Sequence, residues 1–336
     1  MSDAPAVTVA LSAKDNAAFL PQAMDTLLAQ SFRDFELITV DDGSADATWD
    51  ILQAYAARDA RVIPLRNARN IGLAASLNRI LAEARAPLIA RADGDDVYHP
   101  DRLARQVAFM AATPRVGVLS CGYRRIDATG AVLEVKRPVT GWGRVRMHMF
   151  FDNPILHPGA MMRTATVRAV DGYDESYRVS QDTDLWARLF AATRFDNLPD
   201  PLVDWRAHGA ASMKDRDPAR WMPGHNVRRR MLGEYYGGEV ELEEALSVMR
   251  LFRGYDQEPP TTHVDAERAL TRLFRRALLR EPLSGLRHLC GVVSVRLAQK
   301  AAEAPRAEAR RLYAASLRWR PSRAAAAGLA RAALGG

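Results

Sequence analysis

The chain has 336 residues, of which 48% are hydrophobic and 26% charged, and its formal net charge is +7. This composition is typical of a soluble globular protein of one large domain or two, with ample apolar material for a core. Its two cysteines, Cys121 and Cys290, are too few for a disulfide framework or a cysteine metal site.

The N-terminus shows no basic segment followed by an apolar segment, and no uncharged apolar run reaches the roughly 18 residues of a membrane span. A reducing, cytoplasmic location is therefore expected. The positive charge is concentrated late in the chain, with 15 basic and 5 acidic residues after Val264. Such a tail can contact nucleic acid, an anionic membrane surface or a partner protein, or it can be an ordinary solvated helical surface.

The first hundred residues alternate apolar runs with amphipathic segments. Four runs of apolar residues are expected to form strands, at 7–11, 35–40, 61–65 and 88–91. Helices are expected between them, the first capped by Asn16 and the second spanning 46–58. Strands that alternate with helices of this length predict βαβ units and a parallel sheet.

The second hundred residues are less regular. Residues 116–126 predict one strand or two, 127–145 hairpins and a flexible loop, and 153–162 a loop that enters an edge strand. A helix begins at Gln181, and a last strand covers 198–205. After about residue 213 the sequence predicts helices separated at proline-containing breaks, which are Pro223-Gly224, Pro259-Pro260, Pro282 and Pro321.

Three aspartates follow the fourth strand, and these are Asp93, Asp95 and Asp96. Carboxylates crowded in this way stay ionised at low cost near a cation, and Mg²⁺ or Mn²⁺ take oxygen ligands while keeping positions open for phosphates. An ordinary solvated acidic turn is the alternative. Asp41 and Asp42 end a neighbouring strand, and ligands of such sheets bind at the carboxyl ends of the strands. A metal–nucleotide site at this edge is therefore our hypothesis.

Residues 7–212 resemble family 2 glycosyltransferases of the GT-A fold. The resemblance rests on six motifs in the order of the family: Asp41-Asp42-Gly43-Ser44, Asn70-x-Gly72-Leu73, Asp93-Gly94-Asp95-Asp96, Asp171-Gly172-Tyr173-Asp174, Asp182-x-Asp184-Leu185-Trp186 and Arg206-x-His208. It implies an α/β protein with a Rossmann-like, mostly parallel central sheet flanked by helices, followed by a C-terminal α-helical extension. We expect a catalytic domain at 1–212, with a nucleotide-sugar half at about 1–105 and an acceptor half at about 106–212. A helical, basic region is expected at 213–336.

The same resemblance implies roles for individual residues. Asp95 and His208 would bind Mn²⁺ or Mg²⁺, Asp93 would approach the ribose, and Asp96 would be structural. The expected nucleotide-sugar-binding residues are Ser12, Asp41, Asp42, Arg69, Asp93, Asp95 and Arg206. A carboxylate at Asp41 or Asp42 can accept the N3–H of uracil, which favours a UDP donor, although one of the two can instead cap the helix that follows.

Asp182 matches the base that takes a proton from the acceptor. The family usually has Glu-Asp here, whereas this chain has Gln181-Asp182, and a neutral neighbour tends to lower the pKa of the base. Asp184 fits a helix N-terminus better than catalysis. His157 and Trp142 are candidates for the acceptor pocket. Two further tryptophans, Trp186 and Trp205, lie on apolar stretches and are expected in the core.

The predicted function is an inverting, divalent-metal-dependent glycosyltransferase. It would move a sugar from a nucleotide donor to the hydroxyl of a glycan or lipid-linked acceptor in bacterial surface polysaccharide synthesis. The alternatives are a sugar-phosphate nucleotidyltransferase, a nucleic-acid-binding or partner-binding protein that uses the basic tail, and an inactive scaffold of the same fold. No nucleic-acid partner is expected, because the basic positions lack interleaved aromatic residues and a binding motif. The tail is expected to pack on the catalytic domain, to self-associate or to rest on the inner membrane.

Overall fold

The computed structural model describes residues 4–207, 218–242, 244–246, 263–303, 306–320, 322 and 325–326. It divides into two compact units. The first comprises residues 1–140 and 155–224, and the second comprises 141–154 and 225–336. The second unit thus takes a short segment from the middle of the chain as well as the C-terminal helices.

The elements alternate in chain order as the apolar runs predict. In the first half they are β1 Val7–Ala13, α1 Leu20–Leu28, β2 Phe35–Asp41, α2 Thr48–Arg58, β3 Val62–Arg66, α3 Leu73–Glu83, β4 Leu88–Asp93, β5 Val97–Tyr98, α4 Arg102–Ala112, β6 Val116–Ile126 and β7 Val132–Lys136. In the second half they are α5 Trp142–His148, a 3₁₀ turn His157–Gly159, β8 Met161–Arg163, α6 Thr164–Arg168, α7 Gln181–Leu189, β9 Arg194–Arg206, α8 Pro218–Tyr236, α9 His263–Ala277, α10 Leu283–Glu303 and α11 Arg306–Trp319.

Within the described residues of the first unit, nine strands form one mixed sheet. Its order is β3-β2-β1-β4-β8-β6-β9-β5, and β7 pairs with β6 off this path. The pairs β2–β3, β1–β2, β1–β4 and β6–β9 are parallel, whereas β8 runs antiparallel to both of its neighbours. All residues of β1 and β2 are buried, as expected for central strands covered on both faces. The prediction of a mostly parallel sheet with flanking helices is confirmed.

Register places the strand ends at one edge of this sheet. Ser12 of β1 is opposite Asp93 of β4, and Ala13 of β1 is opposite Asp41 of β2. The carboxyl ends of β1, β2 and β4 therefore coincide, which is the edge where ligands of α/β sheets bind.

The prediction that residues 153–162 form a loop entering an edge strand is wrong about the edge position. Met161 of β8 pairs with Ala90 of β4 on one side and with Leu119 of β6 on the other. The two prolines of this segment, Pro154 and Pro158, precede the strand and remove no ladder donors from it. A strand of only three residues can therefore lie inside the sheet.

Two further expectations need correction. A flexible loop was predicted through residue 145, but residues 142–148 form helix α5, which begins after Gly141 at a φ of 85°. A break was predicted at Pro223-Gly224, but α8 continues through both residues. Proline has a helix-compatible φ and removes one N–H donor, and here it lies in the second turn of the helix. The predicted break at Pro282 is confirmed, because α9 ends before this residue and α10 begins after it. The other two predicted breaks, at Pro259-Pro260 and at Pro321, lie outside the described residues.

The second unit is helical. Helix α10 packs on both α5 and α11. Gly285 allows the approach to α5, since a Cβ there would lie 2.6 Å from the Gly143 carbonyl oxygen. On the other side, the Ser316 hydroxyl donates to the Ser294 carbonyl at 2.8 Å. Within the described residues, no helix has the length and apolar character that crossing a membrane requires.

Candidate active site

A cavity of about 540 Å³ lies in the first unit at the carboxyl ends of β1 and β4. Five of the residues predicted to bind a nucleotide sugar line it, and these are Ser12, Asp42, Asp93, Asp95 and Arg206. The sheet register explains the grouping, because Ser12 and Asp93 are direct partners across β1 and β4. Side chains that lie far apart in the sequence are thus brought into one cavity.

Asp93, Asp95 and Asp96 form a carboxylate cluster. One oxygen from each lies within 4.8 Å of the others. Asp96 is buried, and the other two are half-buried. The donor set consists only of hard carboxylate oxygens, which suits Mg²⁺ or Mn²⁺. Asp96 Oδ2 is buried and receives no hydrogen bond within the described part of the chain, so an uncompensated acceptor is present in the cluster. These residues fit a divalent cation.

A buried arginine lies beside this cluster. The Arg91 side chain is 1% exposed, and its guanidinium donates to the Ala92 carbonyl and to Asp93 Oδ1. Burial raises the pKa of Asp93, Arg91 opposes that rise, and the negative charges of Asp95 and Asp182 add to it. The positive charge of Arg91 therefore offsets part of the negative charge of the three aspartates.

Asp96 is tied to the last strand. Its Oδ1 accepts the backbone N–H of Arg206 at 2.8 Å. Burial raises the pKa of Asp96 well above its usual range, and the charges of Asp93 and Asp95 add to the rise. One oxygen of Asp96 thus holds β9 against the turn after β4, which agrees with the structural role expected for it.

Arg206 uses its donors within the protein. The guanidinium donates to the Asp95 carbonyl at 2.8 Å, to the carbonyls of Asp127 and Ala128 at 3.1 Å, and to Gln22 Oε1 at 2.7 Å. It also stacks over a ring, with its carbon 4.7 Å from the centroid of Phe19. Arg206 therefore positions the backbone of Asp95, and this geometry supports positioning more than phosphate binding.

Asp42 organises the turn that precedes α3. Its Oδ1 accepts hydrogen bonds from Asn67 Nδ2 at 2.8 Å and from the N–H of Ile71 at 2.9 Å, and its Oδ2 accepts the N–H of Gly72 at 2.9 Å. Gly72 has a φ of 96°, a conformation that side chains other than glycine rarely adopt. The carboxylate at the end of β2 thus fixes the wall of the cavity that residues 70–72 form.

Asp41 is fully buried and does not line the cavity. Its Oδ1 accepts the N–H of Ser44 at 3.0 Å, and its Oδ2 lies 3.0 Å from Nε of Arg66. Neither aspartate caps α2, because Asp46 accepts the N–H of Thr48 at 2.9 Å. Asp41 shapes the tight turn at Gly43, where an added Cβ would lie 2.6 Å from the backbone of Arg69.

Several predicted residues lie elsewhere. Arg69 is exposed and does not line the cavity. Trp142 begins α5 of the second unit. His208 lies outside the described residues. The roles predicted for these three residues stay predictions.

Asp182 is the second residue of α7 and is half-buried. Its negative charge is one of the causes that raise the pKa of Asp93. Ser180, directly before the helix, has a φ of 62°, an uncommon backbone conformation for serine. Such strain occurs where surrounding structure fixes a functional segment. The carboxylate of Asp184 is buried and accepts Nε of Arg188 at 2.8 Å, which fits its expected structural role.

His157 lies behind the carboxylates in a buried aromatic group. Its Nε2 is 2.9 Å from the Tyr173 hydroxyl, and its ring contacts Trp186 edge-on at 6.1 Å. Burial lowers the pKa of His157 well below its usual range, and the charge of Arg91 adds to this. The imidazole is therefore neutral. His157 does not line the cavity, and Trp186 is buried as predicted.

Several cavity-lining residues escaped the sequence interpretation, among them Lys14, Glu175, Tyr177, Arg178 and Trp205. Trp205 was expected in the core, but it is half-exposed and contacts Tyr123 edge-on at 5.9 Å. The reason is its position on β9, where it lies between the buried Val203 and Arg206 on a strand with an irregular burial pattern. The signal available for Arg178 was its position between two motifs of the family, at 171–174 and at 182–186.

Arg178 is exposed at the rim of the cavity. Its Nη1 lies 3.2 Å from the position that a Cβ on Gly72 would take, so the guanidinium covers the turn that Asp42 organises. Within the described residues, no carboxylate forms an ion pair with it. Its charge is therefore available to an anionic ligand, which the aspartates alone would repel.

Comparison with known proteins agrees with this arrangement. The sequence profile of Glycosyl transferase family 2 matches residues 8–170. The putative glycosyltransferase EpsE of Bacillus subtilis is 35% identical over 196 residues, which cover 56% of this chain and 68% of EpsE. The O-antigen biosynthesis glycosyltransferase WbnJ of Escherichia coli is 29% identical over 199 residues, covering 57% of this chain and 76% of WbnJ.

Among solved structures, S. aureus TarS 1–349 in complex with UDP-GlcNAc is similar to this chain, with a TM-score of 0.57 and 16% identity. The alignment covers 98% of this chain and 92% of that structure. Against a longer TarS chain, the match covers only 54% of that chain. At this level of identity the likeness establishes the fold.

Proposed function

This chain belongs to glycosyl transferase family 2 and is a glycosyltransferase, and from the geometry of its cavity we propose that it transfers a sugar from a nucleotide donor with inversion, assisted by a divalent metal. The observation that carries the proposal is the carboxylate cluster of Asp93, Asp95 and Asp96, and Asp182 at the start of α7 supplies a separate carboxylate. A metal-binding group and a separate carboxylate are the two elements that such a displacement needs.

The donor site is proposed at the cavity edge formed by β1, β2 and β4. Ser12, Asp42, Asp93 and Arg178 line it together, so it offers hydrogen-bond acceptors for a base and ribose and, at Arg178, a cation for a diphosphate. A UDP donor is favoured. The support comes from the carboxylate of Asp42, whose Oδ2 accepts one hydrogen bond and keeps a lone pair for the N3–H of uracil. A further support is the UDP-GlcNAc complex of the similar TarS structure.

Asp95 and Asp93, with Asp96 behind them, would hold Mn²⁺ or Mg²⁺, and we keep His208 as a further candidate ligand. When bound, the metal would offset the negative charge of the leaving diphosphate. Arg178, whose guanidinium lies beside Gly72, would bind the same diphosphate. Arg206 would keep the Asp95 backbone in place through its hydrogen bond to the Asp95 carbonyl.

Asp182 is proposed as the general base. Its carboxylate would accept the proton of the acceptor hydroxyl while the hydroxyl oxygen forms the new bond to the anomeric carbon. The bond from that carbon to the diphosphate oxygen breaks on the opposite face, and the nucleoside diphosphate leaves. The neutral Gln181 beside the base adds no further negative charge to a region that already holds three aspartates.

The acceptor is proposed to be a hydroxyl of a glycan or of a lipid-linked glycan, in bacterial surface polysaccharide synthesis. Names of similar proteins support this class, among them the O-antigen enzyme WbnJ and the amylovoran biosynthesis glycosyltransferase AmsE. Trp205, half-exposed on the cavity wall, can stack against a sugar ring. Trp142 and His157 stay candidates for the acceptor side.

Several other expectations also stay predictions. These are the catalytic domain boundary near residue 212, location in the cytoplasm or at the inner membrane, and self-association. A nucleotidyltransferase remains the alternative of the same fold. The segment at the end of β1, Ser12-Ala13-Lys14-Asp15-Asn16, lacks the glycine-rich loop that such enzymes use, which favours sugar transfer.

A thermal-shift screen of UDP-, GDP- and dTDP-sugars, with and without Mn²⁺, tests the donor and the metal together. A ligand that binds only the folded state stabilises it by about 2.7 kcal/mol at a hundredfold excess over its Kd. We expect stabilisation by a UDP-sugar that depends on Mn²⁺ and is lost in Asp95→Ala. Equal stabilisation by UDP-sugar with and without metal would contradict the metal-dependent donor site.

A further inference from the structure

The junction of α9 and α10 in the second unit exposes a cluster of large apolar side chains. Leu278 is 53% exposed, Leu279 83% and Leu283 62%. Val295, further along α10, is 56% exposed. Exposed leucines scattered singly need no explanation, but three within six residues at a helix junction mark an interaction surface.

The charged residues nearest to this cluster are mainly basic. Residues 268–302 contain eight arginines and lysines and one acidic residue, Glu281. Glu281 is buried, and its carboxylate accepts Nε of Arg146 at 3.0 Å and the Tyr235 hydroxyl at 3.0 Å. The one carboxylate of the segment is therefore neutralised inside the unit and contributes no negative charge to the surface.

Apolar and basic side chains share one face of α10. Leu283, Arg287, Gly291 and Val295 follow one another at intervals of four residues, which places them along one stripe of the helix. Arg275 lies four residues before Leu279 on the last turns of α9, and it is exposed as well. The leucines and these arginines therefore face outward from the same junction.

A groove of about 460 Å³ runs beside this stripe. Arg287 and Arg296 of α10 line it together with Arg320, which follows α11. Gly291 keeps the groove open, because a Cβ there would approach Nη1 of Arg320 to 3.2 Å. The backbone carbonyl of Arg320 accepts the Ser294 hydroxyl at 3.1 Å, which fixes this arginine next to α10. Among the residues that the structure describes, none of the three arginines is paired with a carboxylate.

We propose that this surface, which we call the basic apolar face and define as Arg275, Leu278, Leu279, Leu283, Arg287, Val295 and Arg320, binds an anionic phospholipid bilayer. Arginines at the rim and in the groove bind headgroup phosphates, while the leucines enter the boundary of the acyl chains. An anionic bilayer fits this face better than a neutral apolar partner does, because only the bilayer offers negative charges to the arginines. The inference concerns a second site, and it does not depend on the sugar transfer proposed above.

Co-sedimentation of the full chain with vesicles tests the proposal, using phosphatidylcholine alone and phosphatidylcholine mixed with phosphatidylglycerol. We expect binding to the anionic vesicles that weakens as salt rises. Removal of one arginine near a membrane surface costs roughly fivefold in affinity, so Arg287→Gln with Arg320→Gln weakens binding by about 25-fold. Leu279→Ser with Leu283→Ser weakens it by about tenfold or more.

Matched controls come from the first unit. Leu133 and Val135 of β7 are 52% and 51% exposed, so Leu133→Ser with Val135→Ser removes a similar apolar area elsewhere. Arg115→Gln removes an exposed arginine from the turn before β6. Both controls are expected to bind vesicles as the unaltered chain does, and thermal melting checks that every variant folds.

Three results would overturn the proposal. The first is equal binding to neutral and anionic vesicles, and the second is an equal loss in test and control variants. The third is absence of vesicle binding together with a concentration-dependent dimer that Leu279→Ser with Leu283→Ser dissociates, which would assign the face to self-association. The assay contains no sugar donor, so its outcome is independent of whether the glycosyltransfer proposal holds.

Discussion

The carboxylate of Asp42 accepts the backbone N–H of Gly72 at 2.9 Å, and this hydrogen bond joins the end of β2 to the start of α3. A second amide, that of Ile71, donates to the same carboxylate. Asp42, which is proposed to bind the base of the nucleotide, therefore also fixes the turn that lines the cavity. Binding and local folding are coupled at this position, and a substitution here tests both.

For Asp42→Asn we expect a loss of stability of about 1–3 kcal/mol, because the new amide group would face backbone N–H donors. Affinity for a UDP-sugar should fall as well, since the turn at 70–72 lines the cavity. Urea unfolding and calorimetric titration measure the two effects separately. A variant with unchanged stability would contradict the geometry around this carboxylate.

Asp182→Asn is expected to lower kcat by roughly 10²–10⁴ with little change in melting temperature, because a general base contributes to the barrier and this carboxylate is half-buried. Asp184→Asn is the comparison variant. It breaks the buried contact to Arg188 at 2.8 Å and should cost about 2–3 kcal/mol of stability while sparing the chemical step in the folded fraction. Single-turnover transfer and thermal melting of both variants check this. An active Asp182→Asn enzyme would remove the base assignment.

Asp95→Ala should abolish the response to Mn²⁺, since it removes a hard oxygen donor from a cluster whose members lie within 4.8 Å. We expect kcat to fall by roughly 10²–10³ at saturating donor, as is typical when stabilisation of a developing charge is lost. Transfer assays over a range of metal concentrations measure this effect, and an assay with added chelator gives the rate in the absence of metal. Asp101→Ala, which removes the exposed carboxylate before α4, is a suitable control and should keep the metal response.

Arg178→Ala should raise the KM for the nucleotide sugar by roughly 10–100-fold, the effect expected from loss of one charge-assisted hydrogen bond to a diphosphate. Arg178→Lys should restore part of the affinity, because it keeps the charge and loses the bidentate geometry. Arg115→Ala, at the turn before β6, serves as the control. If nucleoside and nucleotide sugar lose affinity equally, the contact is not to the phosphates.

Stability of the second unit should depend on pH through His288. Its Nε2 lies 3.3 Å from His148 Nδ1, and burial together with the charges of His148 and Arg144 lowers the pKa of His288 to about 4. The folded pKa is below the unfolded value of about 6.5, so the stabilisation is fully present above pH 6.5 and is lost as the pH falls toward 4. We expect a loss of about 1 kcal/mol between pH 7 and pH 5.5.

Urea unfolding at several pH values, compared with His288→Gln, measures this effect. The variant should lose most of the pH dependence in that interval. An identical slope in both proteins would show that other groups control acid sensitivity.

The alternation of apolar runs and amphipathic segments was enough to predict β1 to β4 and the helices between them. The aspartates at the ends of β2 and β4 were correctly placed at one edge of the sheet, because parallel strands end on the same side. Pairing register was not predictable: that Ser12 faces Asp93 depends on long-range contacts between strands.

The errors have local physical causes. Trp205 lies on an apolar stretch, but the irregular burial pattern of β9 turns it toward the cavity. Gly141 and Gly143 suggested a loop, whereas Gly141 precedes α5 and Gly143 lies in it, at the approach to α10. Arg178 carries no periodic signal, and its relation to Gly72 arises only in the folded chain.

The short strand β8 joins β4 to β6 inside the sheet of the first unit. Residues 161–163 pair with β4 and β6 at once, and the Arg163 guanidinium also donates to the carbonyls of Val116 at 3.0 Å and Met110 at 2.8 Å. A chain that ended after α4 would leave β4 as an open edge, a template for aggregation. The donor half predicted at 1–105 is therefore expected to fold together with the rest of the first unit, and hydrogen exchange should protect β4 and β6 to the same degree.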